Sequence, residues 1–193
     1  MLDKQYFQTK DLILKVSKSI NPKVFDVSKY EAFLDTLCGD REYQKDAIRE
    51  TLRYLLGQQY KNLRELAEEN YKQNQFLQDK YSIFNDFEKQ LQLPNHLSCS
   101  LDLATATGKS FVMYGIARIM LAEGAVDQAL VLCPSNTIER GLADKFKRLS
   151  GDADLRKLLP KDAKIKNPRI IHATQTIQKG DIAIENIHAT YAT

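Results

Sequence analysis

The stretch "LDLATATGKS", Leu101 to Ser110, decides how the rest of the chain is read. It has the form of a phosphate-binding loop, yet Leu103 stands where the pattern G-x-x-x-x-G-K-[ST] has its first Gly. Ahead of the loop, Leu97, Cys99, Leu101 and Leu103 alternate with Ser98, Ser100 and Asp102, the two-residue rhythm of a strand. Behind it, Phe111, Val112, Gly115, Ile116, Ile119 and Met120 recur at helical spacing up to Gly124. A phosphate loop needs converging backbone N–H groups, the positive end of a helix, and a cation and hydroxyl in register. Gly108 lets the chain turn without a side chain in the way, Lys109 is placed to reach the β and γ phosphates, and Ser110 to ligate Mg²⁺.

Outward from the loop, "ALVLCP" is a short continuous apolar run of the kind found in buried parallel strands. A helix follows with Ile138, Leu142, Phe146 and Leu149 on one face and Asn136 with Glu139 as a capping pair. "RIIHA" and "DIAIENI" read as two further strands, so strands and helices alternate as in an α/β protein with a parallel sheet. Upstream, Ile48, Leu52 and Leu55 mark one face of a helix that runs from about Arg41 to Gly57. From Gln58 to Gln92 there is no Gly or Pro, and apolar residues keep helical spacing, which predicts one long helix or a helical hairpin. Its aromatics fall in phase with leucines and read as core, not as a base-stacking platform. Pro22 after Asn21 marks a turn, and "KYEAFLDTLCG" ends in a helix-terminating Gly. The division that follows is an N-terminal extension over 1–40, a helix with a helical insertion over 41–95, and an α/β lobe over 96–193.

At 193 residues with 43% apolar content the chain can bury a core, and its net charge of +3 is too mild to name a partner. The window from Glu139 to Arg169 holds ten Lys or Arg against five Asp or Glu, a candidate basic face. Cys38, Cys99 and Cys133 are odd in number and far apart, and are expected to be reduced and buried. His96, His172 and His188 have no metal-ligand spacing and read as structural or exposed. With no apolar stretch of 18 residues and no leader pattern, the expectation is a cytoplasmic protein without a membrane partner.

The loop's spelling, Ala104-Thr105-Ala106-Thr107-Gly108-Lys109-Ser110, resembles motif I of superfamily 2 helicases and translocases, commonly A-T-G-x-G-K-[ST]. Only Ala106 departs from it, and a methyl group there restricts φ and crowds the phosphates. In that family a Gln following an aromatic residue at a helix start reads adenine. Here "GDREYQKDAI" supplies Arg41, Tyr43 and Gln44. An amide can donate to and accept from one edge of adenine. "LVLCPSNTIERGLADKF" resembles motif Ia, with Pro134, Ser135, Asn136 and Thr137 placed to meet a DNA backbone, and with Arg140, Lys145, Lys147 and Arg148 adding charge. Within the superfamily, "LDLATATGKSFV" and "QTIQKGDIAIENIHATY" resemble the motor subunit of type III restriction enzymes and related DEAD/DEAH-box proteins.

The resemblance implies a RecA-like P-loop lobe, the first and partial lobe of a motor, preceded by a helical N-terminal region. It further implies ATP and Mg²⁺ as cofactors, Lys109 as the catalytic lysine, DNA as substrate, and a modification subunit as a possible partner in a restriction-modification system. Hydrolysis needs a strand-end Asp with a neighbouring Glu, and an arginine from a second lobe. No apolar run here ends in Asp-Glu, so the chain is expected to be the N-terminal part of a larger helicase, able to bind ATP and inactive alone. A small phosphotransferase is disfavoured by the lack of an Arg-rich lid. The remaining alternative is a non-catalytic nucleotide-binding or protein-interaction module that uses the helices of 58–92 as its contact surface.

Overall fold

Six consecutive buried residues, Asp181 to Asn186, form the middle strand of a three-stranded parallel sheet. The computed structural model describes residues 14–18, 20–172 and 174–188. Among them, in chain order, run α1 (Glu31–Cys38), α2 (Glu42–Leu56), α3 (Leu63–Gln73), α4 (Gln75–Lys80), α5 (Phe84–Glu88), α6 (Lys109–Glu123), α7 (Asn136–Gly151) and α8 (Ala153–Lys157). The strands are β1 (Ala129–Cys133), β2 (Arg169–His172) and β3 (Asp181–Asn186), in the order β1-β3-β2. The chain divides into two units, Met1–Phe25 with Arg53–Ser100, and Asp26–Leu52 with Leu101–Thr193.

The second unit is an α/β unit with helices packed on the sheet. Val131 pairs with Ile184 and Ile170 with Ile182, so β-branched residues face one another across the ladder. All three apolar runs read as strands are strands; Ala173, the end of "RIIHA", lies outside the described residues. Against these strands packs α7, and α6 packs in turn on α7, with the Tyr114 and Phe146 rings 5.2 Å apart. A Cβ at Gly115 would stand 2.8 Å from Ile48 and 3.0 Å from Leu37, so the absence of a side chain lets α6 lie close on α1 and α2. Along β1, Val131 and Cys133 are buried while Leu130 and Leu132 are exposed. An open groove of about 440 Å³ runs beside them, walled by Met113, Ile116 and Met120 of α6.

Two sequence expectations fail. The stretch from Leu97 to Leu103 forms no strand, and Leu97 and Leu101 are exposed. Alternation is necessary for a half-buried strand, but a strand exists only through a paired neighbour, and the sheet of the described residues leaves this stretch unpaired. The segment from Gln58 to Gln92 is neither one helix nor a simple hairpin but three short helices, α3, α4 and α5. Asn74 sits in extended backbone and its side chain accepts from the Phe76 N–H, so it stops α3 and starts α4. Asn62 caps α3 in the same way through the Glu65 N–H.

Those three helices belong to the first unit, whose small cores hold Tyr54, Tyr60, Leu63 and Leu66, and then Ala67, Leu77 and Phe87. Tyr71, Tyr81 and Phe84 pack on the second cluster, as expected of core aromatics. The buried Asn70 amide closes a two-way bond with the Lys15 backbone, accepting at 2.7 Å and donating at 3.0 Å. Cys38 and Cys133 are buried and Cys99 is exposed, which corrects the expectation that all three are buried. Burial pushes the Cys38 thiol up to about 11, so it stays protonated.

Two polar anchors fix the second unit. Arg118 of α6 is 1% exposed and donates to the carbonyls of Ile165, at 2.7 Å, and Lys166. Burial pulls its pKa down from the ordinary guanidinium value. At the start of β3, buried Asp181 accepts two bonds of 2.8 Å from Arg169 and one of 2.7 Å from the Gln178 N–H. These bonds, Arg169 first, hold the Asp181 carboxyl below its ordinary range against the effect of burial.

The substitution R118M leaves two carbonyls without their charged donor and is expected to destabilise the protein by about 2–4 kcal/mol, measured by urea unfolding. The lowered Asp181 contributes stability that is complete above about pH 4 and is lost as pH falls through its native value. In R169Q the carboxyl titrates higher, so acid unfolding followed by circular dichroism should have its midpoint at a higher pH than the wild type.

Candidate nucleotide site

Residues Tyr43 and Gln44 lie in the first turn of α2, and the loop residues Thr105 to Ser110 lead into α6. The turn of α2 is fixed by charge. Arg49 holds the Glu31 carboxylate through two bonds, 3.1 Å at Nε and 2.6 Å at Nη2, and Lys45 meets Asp35 at 2.6 Å, so α2 is tied to α1. From that platform the Tyr43 hydroxyl donates to the Thr107 carbonyl at 2.9 Å, and the Gln44 amide donates to the same oxygen at 2.5 Å. The structure therefore brings the Tyr-Gln pair and the phosphate-type loop into one site. Arg41 does not join the loop contacts; it is exposed, with Nη1 3.5 Å from the Cys38 carbonyl.

Gln44 is fully buried, and its Oε1 has no hydrogen-bond partner. A buried amide oxygen left unpaired is costly, so the site holds an acceptor that a ligand N–H would satisfy. Gly108 caps α6 in the left-handed region, φ 79° and ψ 37°, with no side-chain cap bond. A Cβ there would lie 2.6 Å from the Gln44 Nε2, so Gly at this position serves both the turn and the packing of Gln44. Lys109 opens the helix, exposed and without a hydrogen-bond or ion-pair partner among the described residues. Thr107 closes the loop by donating from its hydroxyl to the Ala104 carbonyl at 2.6 Å. Thr105 is exposed on the same turn.

Ala106 has φ 64°. The loop thus places Ala where a left-handed residue is required, the conformation that Gly adopts without strain.

Ser110 differs from its expected surroundings. Its hydroxyl accepts a 2.9 Å bond from the Lys145 ammonium, which also lies 4.4 Å from the centre of the Phe111 ring. Lys145, grouped from sequence with the DNA-facing charges, is instead a cation at the very oxygen assigned to Mg²⁺. Arg140, Lys147 and Arg148 are exposed on α7.

At the end of β1, Pro134, Asn136 and Thr137 are exposed and Ser135 is half-buried. The cap of α7 is Ser135, whose side chain accepts from the Ile138 N–H; this corrects the expected pairing of Asn136 with Glu139. Asn136 instead accepts from the Asn186 side chain of β3. Glu139 turns inward, 5% exposed, and pairs with His172 Nε2, while Glu185 Oε2 lies 3.3 Å from His172 Nδ1. Sequence spacing could not find this trio, because its members come from α7, β2 and β3 and meet only when the sheet forms.

A family model described as type III restriction enzyme, res subunit, matches residues 38–193. Neither a curated protein nor a solved structure matches the chain. No helix of the described residues is long and apolar enough to cross a membrane.

Two substitutions in the loop should act in opposite directions. A106G removes the strain of a left-handed Ala and should stabilise the protein by up to about 1 kcal/mol. G108A adds a methyl group against Gln44 in a backbone that disfavours it and should destabilise by about 1–2 kcal/mol. Thermal unfolding midpoints, raised in the first and lowered in the second, check both.

Proposed function

The chain belongs to the family of type III restriction enzyme res subunits, and on that footing we propose that Tyr43, Gln44 and residues Thr105 to Ser110 form the ATP site of a RecA-like helicase or translocase lobe. The observation that carries this reading is the pair of hydrogen bonds that Tyr43 and Gln44 donate to the Thr107 carbonyl. It sets a buried, unpaired amide oxygen beside a loop whose helix N-terminus faces outward without a side-chain cap.

The residues fit the group. The Gln44 Oε1 would accept from the exocyclic amine of adenine, a donor that guanine does not present in that place. Lys109 would supply charge to the β and γ phosphates, with the first-turn N–H groups of α6. Ser110 would offer its hydroxyl to Mg²⁺, and the Lys145 ammonium would leave that oxygen as the metal arrives, since two cations repel. Arg41 would stay at the rim. When bound, ATP with Mg²⁺ supplies the hydrolysable phosphate bond that drives the motor cycle.

Pro134, Ser135, Asn136 and Thr137 would meet the DNA backbone at the exposed start of α7, with Arg140, Lys147 and Arg148 adding salt-sensitive attraction. Such contacts position a strand without reading its sequence. Movement along DNA would further need carboxylates and an arginine that complete hydrolysis, together with the rest of a restriction assembly, a modification subunit included.

Binding of a fluorescent ATP analogue tests the site. The wild type is expected to bind in the presence of Mg²⁺, K109A to bind at least tenfold more weakly, and Q44A to lose preference for ATP over the matching GTP analogue. Equal binding of both analogues by wild type and Q44A would remove Gln44 from the reading; unchanged binding by K109A would remove the loop.

A further inference from the structure

The trio Glu139, His172 and Glu185 shares no residue with the loop and lies at the carboxyl ends of β2 and β3, where open α/β sheets hold ligands. Glu139 comes from the first turn of α7, His172 ends β2, and Glu185 is the next-to-last residue of β3. The two carboxylate side chains are 6% and 7% exposed, and the imidazole between them is half exposed.

Among the described residues no Lys or Arg pairs with either glutamate, and the Glu185 Oε1 has only the Asn186 N–H, at 2.9 Å. Two buried carboxyl groups and the imidazole between them thus gather oxygen and nitrogen donors in a place poor in water, with no basic side chain to complete them, a set that a cation would satisfy.

We infer that Glu139, His172 and Glu185 bind a divalent transition-metal ion of the Zn²⁺ or Mn²⁺ class. One neutral imidazole and two carboxylates neutralise a divalent ion, and a nitrogen ligand favours these metals over Mg²⁺ and Ca²⁺. The potential ligand atoms all lie within 4.8 Å of one another, so rotation of the half-exposed imidazole gathers them about one centre. The open side of His172 leaves room for water as a further ligand. The ion would clamp the start of α7 to β2 and β3, beside the Asn186 to Asn136 bond that already joins β3 to α7. The site does not depend on nucleotide, and it stands or falls independently of the ATP reading.

Equilibrium dialysis of the nucleotide-free protein against micromolar Zn²⁺, and separately Mn²⁺, tests it. The expected result is one ion per chain with at least one of the two metals, a raised thermal midpoint on binding, and at least a tenfold loss of affinity in both H172A and E185Q. The exposed His96 and Cys99 are controls, because H96A and C99S should bind as the wild type does. Far-ultraviolet circular dichroism establishes that each variant is folded; H172A alters a half-exposed side chain and carries the test if E185Q does not fold. No binding of either metal, or binding unchanged in folded H172A, overturns the inference.

Discussion

Everything in the α/β unit depends on the burial of β3. A strand covered on both faces and paired on both edges excludes water from every group it carries, so each polar residue on it must find a partner within the protein. Three of its six residues are polar, and each shapes what surrounds it. Asp181 draws Arg169 along the start of β2, Glu185 faces His172 at the end of β2, and Asn186 reaches Asn136 at the start of α7. The register of the sheet and the seat of α7 are thus specified by polar pairing as well as by the apolar ladder of Val131, Ile170, Ile182 and Ile184.

Where local pattern and tertiary need agree, the chain can be read directly. β1, β2 and β3 are short apolar runs bounded by turns, α6 ends at Gly124 as expected, and the loop between Thr105 and Ser110 turns where its Gly requires. Most of the failures turn on a contact distant in sequence; the break at Asn74 is local, a side chain accepting from the N–H two residues on. Leu97 to Leu103 alternates well but lacks a neighbour to pair with. Asn74 looks like any polar helix residue until its side chain caps a new helix. The partnership of Gln44 with Thr107, and of Lys145 with Ser110, joins residues that no spacing rule links. The family resemblance assigned Gln44 and the loop to one nucleotide without linking them to each other; nothing in the sequence proposed the second pair.

The basic window from Glu139 to Arg169 illustrates how counting charges overstates what is free. Lys145 is engaged by Ser110, Arg169 is spent on Asp181, and Lys157 pairs with Asp154 at 3.1 Å. Lys145 also links two regions that the motif reading treats separately, since it rises from α7, the helix that begins at the Pro134 to Thr137 turn, and ends on the loop hydroxyl.

The free side of β1 has a further meaning. Its outer backbone groups have no strand beside them among the described residues, and Leu130 and Leu132 stand 54% and 45% exposed above the groove along α6. Such an edge is a template: any extended apolar segment that reaches it gains main-chain hydrogen bonds and covers leucine surface at once. The edge is five residues long and carries no charged side chain, so the net charge of +3 lies elsewhere and does nothing to blunt it.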